Sequence, residues 1–115
     1  MRFNLGITLL RFPSRENEAL LQFEEAAQLE PDYWQAHYQI GSILIRQRRE
    51  FDRAIASFEE VLRVNPAFAE AHFRLAQLHA YKTGNRTAAV KHLRETLRLN
   101  PNHPSARDLL RTVDY

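Results

Sequence analysis

The sequence repeats itself every 35 residues, and this recurrence limits the folds open to the chain more than any other feature. Pro31, Pro66 and Pro101 stand at that interval. So do Ala36, Ala71 and Ala106; Ala19, Ala54 and Ala89; Phe23, Phe58 and Leu93; and Leu29, Val64 and Leu99. Gly6, Gly41 and Ala76 carry the register back to the first residues, and Ile40, Leu75 and Leu110 carry it to the last. A period of this length is one supersecondary unit that cannot bury its apolar faces alone, so sequence neighbours must stack.

Each period reads as two helices. The first runs from Trp34 to Gln47, with Ala36, Ile40, Ile43 and Leu44 on one face. A turn follows, and Asp52 is the expected N-cap of the second helix, which sets Ala54, Ile55, Phe58, Val61 and Leu62 at helical spacing. Asn65-Pro66 ends it, because proline disfavours the helical conformation in the residue before it. The next unit has Ala71, Leu75 and Leu78, a Thr83-Gly84-Asn85 turn, then Ala89, Val90, Leu93 and Leu97. The first unit has Leu5, Leu9 and Phe12, a turn at Pro13-Ser14, then Ala19, Leu20, Phe23 and Ala26. A closing helix over 104–114 turns Ala106, Leu110 and Val113 inward and Arg107, Arg111 and Asp114 outward, as a cap requires.

The small residues have a packing role. Gly41 and Ala76 let the two helices of a hairpin approach closely, Ala54 and Ala89 do so from the other helix, and Phe23 and Phe58 fill the space beside them. The chain therefore divides into units of about 1–33, 34–68 and 69–103 plus the cap, about seven helices in an all-α fold. A hydrophobic content of 44% suffices for a packed core. No apolar run approaches the ~20 residues of a membrane span, and the first residues fit the repeat register better than a signal peptide. These two points favour the cytoplasm.

At Ile40-Gly41, Ala54, Phe58 and Pro66, and again at Leu5-Gly6, Ala19, Phe23 and Pro31, the chain resembles the tetratricopeptide repeat family. The third unit keeps Leu75-Ala76, Ala89, Leu93 and Pro101. There are departures. The family's Trp position holds Arg2, His37 and His72, its Tyr position holds Leu9, Leu44 and His79, and the period is 35 instead of 34. The additional residue falls in the turn within each hairpin. Pentatricopeptide repeats share the longer period and bind single-stranded RNA, but they place the additional length after the second helix, whereas Phe58 to Pro66 keeps the shorter spacing here.

The resemblance implies a right-handed superhelical solenoid of antiparallel hairpins whose first helices line a concave groove. It implies that the groove carries Phe3, Tyr38 and Phe73; Asn4, Gln39 and Arg74; Ile7, Ser42 and Gln77; Leu10, Ile45 and Ala80; and Arg11, Arg46 and Tyr81, with Gln35 and Glu70 beside them. An aromatic row facing solvent, with Ile7 and Ile45 near it, suits an apolar or amphipathic peptide or helix of a partner. Some relatives hold chaperone tails in a two-carboxylate clamp. The equivalent places here are Phe3, Ile7, Gln39, Glu70 and Arg74, of which only Arg74 fits, and Glu70 would repel a carboxylate. This argues against chaperone-tail binding.

Arg11, Arg15, Arg46, Arg48, Arg49, Arg53, Lys82 and Arg86 gather at the turns inside the hairpins, but the formal charge is only +2 and the ordinary reading is a solvated surface. Nucleic acid is not favoured. No cysteine is present, His72 and His79 are spaced too far apart to hold a metal by themselves, and no glycine-rich phosphate loop or nucleophile motif occurs. No cofactor, metal or catalysis is expected. The leading expectation is a protein-binding scaffold. The alternatives are a repeat section of a larger enzyme such as a transferase, and an RNA-binding repeat. Because Leu5 and Leu9 open the register with no helix ahead of them, a piece of a longer protein, or self-association through that end, is also expected.

Overall fold

The computed structural model describes residues 2–113. They form seven α-helices and no strand: α1 (Arg2–Leu9), α2 (Glu16–Leu29), α3 (Trp34–Arg46), α4 (Phe51–Val64), α5 (Ala69–Leu78), α6 (Arg86–Leu99) and α7 (Pro104–Val113). A 3-10 turn, Pro13–Arg15, joins α1 to α2, and a π-helical segment, His79–Thr83, prolongs α5. The repeat is kept in the helix boundaries. The second helices start at Glu16, Phe51 and Arg86 and end at Leu29, Val64 and Leu99, each set 35 residues apart. No helix is long and apolar enough to cross a membrane among the described residues.

The chain divides into two compact units. The first, ending at Val64, holds two hairpins, α1–α2 and α3–α4, with α2 packed on α3. Its core is built on small-against-large pairs. Phe23 and Phe58 are fully buried, each beside a glycine of the facing helix, Gly6 and Gly41. Burying a ring of this size contributes about 2–3 kcal/mol. Ala19, Ala36 and Ala54 are fully buried where the helices cross.

The second unit, starting at Asn65, holds the α5–α6 hairpin and α7, which packs on α6. Its core joins Phe73, Ala76, Leu93, Ala106 and Leu109, with Leu97, Leu110 and Val113 partly buried against it. Arg107 and Arg111 lie on the exposed side of α7; Asp114 lies outside the described residues. His103 caps α7: its Nδ1 accepts the Ala106 N–H at 3.1 Å, and its Nε2–H donates to Glu70 at 2.8 Å. Pro104 follows at the first helical position, where a missing N–H costs nothing.

The turns at one place in the repeat close the three hairpins in three ways. The first is the 3-10 turn at Pro13. In the second, the Arg48 N–H bonds to Ile45 O at 3.0 Å and the Arg49 N–H to Leu44 O at 3.3 Å, with Arg48 left-handed at φ 54°. This is a Schellman end with arginine where glycine is usual. In the third, the π segment ends at Gly84, φ 71°, and the Asn85 side chain caps α6 by accepting the Ala88 N–H.

Two expectations are corrected. Asp52 is not an N-cap: α4 begins one residue earlier, at Phe51, and Glu50, also left-handed at φ 52°, precedes it. Asp52 instead lies in the first turn, where its charge still favours the helix N-terminus. Phe12 is 53% exposed, not core, and Leu9, expected to open the register uncovered, is buried, whereas Leu5 is 48% exposed. Ile40, the counterpart of Leu5, is buried at 5% because α2 covers it, and no described helix covers the matching side of α1.

Candidate functional site

In the first unit, α1 and α3 display the expected residues at different depths. Phe3 is half-buried, stacked on Tyr33 at 4.9 Å and tilted against Phe23 at 5.4 Å. Tyr38 is half-buried, its ring edge-on to Phe58 at 5.7 Å. Both aromatics thus finish the core and leave one side to water. Ile7 is exposed, Leu10 and Ile45 are half-buried, Asn4, Arg11 and Gln35 are exposed, and Gln39 is half-buried. The Ser42 hydroxyl is already committed, donating to Tyr38 O at 2.9 Å. Arg46 donates through Nε to Glu16 at 2.8 Å, which neutralises its charge locally. What remains on these two helices is half-exposed apolar surface beside amide side chains that can both donate and accept.

In the second unit, Phe73 departs from the expected solvent-facing row. It is 6% exposed, packed in the core cluster and against the His103 ring at 4.5 Å. The cause is α7, which closes over α6 and brings Ala106 and Leu109 to Phe73. The Arg74 guanidinium lies 6.0 Å from the Phe73 ring centroid, donates to Gln77 Oε1 at 3.1 Å and lies 3.8 Å from Glu70. Ala80 is half-buried, whereas Tyr81, carried out by the π segment, is 65% exposed.

A recurrent bond was not foreseen. His37 Nε2 donates to Pro31 O at 2.9 Å, His72 Nε2 to Pro66 O at 3.0 Å, and the Arg107 guanidinium to Pro101 O at 2.8 Å. Residues at one repeat position thus satisfy the carbonyl of the turn six residues earlier. The signal was legible as a donor side chain at a fixed distance after each proline. Arg2, at the same position of the first unit, pairs instead with Glu25.

The His72, His92 and His79 rings of the second unit lie side by side. Because His72 spends its Nε2–H on Pro66, its Nδ1 accepts, and the His92 Nδ1–H donates to it at 3.0 Å. The His79 ring lies parallel to His92 at 6.1 Å, and His79 Nδ1 is 3.0 Å from Thr83 Oγ1. Burial, then the nearby His72 and His79, push His92 down to about 4. Thr96, fully buried, returns its hydroxyl to His92 O at 2.8 Å. Among the described residues no group of three or more His, Cys, Asp or Glu is arranged to hold a metal. A shallow cleft of about 320 Å³ in the first unit is crossed by a Glu24–Arg53 ion pair and lies between α2 and α4, away from the exposed residues of α1.

A family profile described as "Tetratricopeptide repeat" matches residues 46–104, just over half of the chain. No curated protein sequence matches. Solved structures do. One described as "Crystal structure of MamA" superposes with a TM-score of 0.88 at 20% identity, over 97% of this chain and 64% of that one. The chain therefore spans less than two thirds of that protein. A second, "First TPR of Spaghetti (RPAP3) bound to HSP90 peptide SRMEEVD", gives 0.87 at 18% identity, over 98% of this chain and 87% of that one. A third, "Crystal structure of YrrB: a TPR protein with an unusual peptide-binding site", gives 0.79 at 25% identity, over 94% and 54%.

Proposed function

Because this chain belongs to the tetratricopeptide repeat family, we propose that it is a non-catalytic scaffold that binds a peptide or helix of a partner protein along its first helices. The observation that carries the reading is the surface left on α1 and α3. Ile7, Leu10, Tyr38 and Ile45 keep apolar area in water, beside Asn4, Gln35 and Gln39. Apolar side chains of a ligand would bury against the first set, and its backbone groups would find donors and acceptors in the second. Two structural neighbours are described with peptides or a peptide-binding site, which supports the same role. In the second unit, Tyr81 stays exposed on the extension of α5, while Arg74 and Gln77 are bonded to each other beside the buried Phe73.

The HSP90-peptide mode has less support. Arg74, the one side chain suited to a carboxylate clamp, is shared between Gln77 and Glu70.

The test is selection of binders from a displayed random peptide library on the full chain, followed by fluorescence anisotropy with the enriched peptides. Ile7→Asp and Gln39→Ala should each weaken binding by about fivefold or more, the effect of losing about 1 kcal/mol of contact. Both sites are at least partly exposed, so circular dichroism should be unchanged. Failure to enrich any peptide, or enriched peptides indifferent to both substitutions, sinks the reading.

A further inference from the structure

One hydroxyl of the first unit is buried without a partner. Thr8, Ser42, Thr96 and Thr112 each return their hydroxyl to the carbonyl four residues earlier on their own helix. Ser57, only 8% exposed on α4, makes no such bond and has no hydrogen-bond partner among the described residues. It lines the cleft of about 320 Å³ between α2 and α4, together with Glu24, Gln28, His37, Arg53 and Glu60. A buried hydroxyl so placed bonds to whatever enters the cleft.

The second unit shows which group suits the place. One repeat later Ser57 becomes His92 and His37 becomes His72. There the His92 Nδ1–H donates to His72 Nδ1 at 3.0 Å, while the His72 Nε2–H is spent on Pro66 O. His37 spends its Nε2–H in the same way, on Pro31 O, so its Nδ1 is an acceptor too. The short Ser57 brings no ring N–H to it, and His37 Nδ1 has no partner among the described residues. The cleft is a histidine pair whose donor half is missing.

The other walls mostly accept hydrogen bonds. Glu60 bonds Arg63 through Oε2, and Glu24 pairs with Arg53 through Oε2, which leaves one carboxylate oxygen of each for a ligand. The exposed Gln28 adds an amide oxygen. The charge of Arg53 is opposed by Glu24 and by Glu50, at 3.7 Å. Acceptors gathered in this way favour a cation with several N–H groups in one plane. A guanidinium has five, set in a fork that matches a carboxylate, whereas an ammonium is a compact point charge without that fork. A cleft of this volume is at the small end for a small-molecule site and suits one side chain.

We propose that this cleft takes an arginine side chain of a partner protein, whose guanidinium donates to His37 Nδ1, to the Ser57 hydroxyl oxygen and to the Glu60 carboxylate. The site is independent of the peptide-binding reading, because it opens between α2 and α4 and uses none of Ile7, Tyr38 or Gln39.

The test is an NMR titration of the isotope-labelled full chain with N-acetyl-arginine amide. Saturable shifts centred on the amides of His37, Ser57 and Glu60 are expected, with a dissociation constant of about 0.1–10 mM for so small a ligand. The citrulline counterpart, similar in shape but uncharged, should bind at least ~10-fold more weakly. Ser57→His copies His92, so it should supply the missing N–H and abolish the shifts while the rest of the amide spectrum stays in place. Glu60→Gln, at a side chain 43% exposed, should weaken binding ~5-fold or more, and this arm stands even if Ser57→His misfolds. Ile7→Asp should leave the titration unchanged. Shifts that do not saturate, or that gather elsewhere on the chain, overturn the proposal. So does equal binding of the citrulline compound, or binding that Glu60→Gln or a folded Ser57→His leaves intact.

Discussion

Gly41 lies so close to the Phe58 ring that a Cβ built on it would fall 2.8 Å from two ring carbons. Gly6 and Phe23 repeat the relationship, at 2.7 and 2.8 Å. In the second unit the pair becomes Ala76 and Leu93, both fully buried. One methyl group gained on one helix is matched by a smaller side chain on the other.

Gly41→Ala should therefore destabilise the fold. The gain in helix propensity is about 1 kcal/mol, but overpacking a rigid ring costs about 1–3 kcal/mol. A net loss of up to about 2 kcal/mol is expected from thermal unfolding followed by circular dichroism. Adding Phe58→Leu, which copies the Ala76–Leu93 pair, should recover part of what Gly41→Ala removes. If the two losses simply add, the contact does not govern the pair.

Removing the donors to the proline carbonyls should loosen the turns in proportion to burial. His72→Ala strands Pro66 O at a site where His72 is only 9% exposed, so about 1–2 kcal/mol should be lost in urea denaturation. His37→Ala, in a wetter place, should cost less. His37→Arg should be tolerated, because Arg107 performs the same task at the equivalent position.

Stability should fall with acidification through His92. The unfolded chain takes up this proton near pH 6.5 and the folded chain only near 4, so the contribution is complete above about 6.5 and is lost as pH drops toward 4. The full shift corresponds to about 3 kcal/mol, and the partial exposure of the ring reduces the expected loss to about 1–2 kcal/mol. His72, His79 and Lys91 oppose the added charge, and Glu95 favours it. Urea midpoints at neutral pH and near pH 5 should diverge for the native chain and converge for His92→Gln.

Arg48→Gly should stabilise the second hairpin. Arg48 holds a left-handed conformation that costs a side chain about 1–2 kcal/mol, and glycine, which avoids this, gives back part of the gain as unfolded-state entropy. A net gain of about 0.5–1 kcal/mol is expected in the urea midpoint. Gly84→Ala, at φ 71°, should show the opposite sign.

Much of the fold was legible in the amino-acid order. Repetition of Pro31, Pro66 and Pro101 placed the ends of the second helices, and the glycine and phenylalanine positions anticipated which side chains would interlock. The candidate site was less legible. Phe3, Tyr38 and Phe73 share a repeat position, yet only Phe73 is buried, because α7 packs over the helix beside it. His37 and His72 showed in the sequence as donors six residues after a proline, but only the structure puts their nitrogens on the proline carbonyls.

Periodicity by itself determined the helices, their order and the faces they bury, since spacing along a helix fixes direction around it. It could not determine which of those faces would be covered, nor how turns at one place in the repeat would close. Coverage depends on whether another element reaches the surface, which separates Leu5 from Ile40. Turn geometry depends on local backbone bonds with competing solutions of similar energy. The 3-10, left-handed and π-helical closures are three such solutions, and only the tertiary structure selects among them.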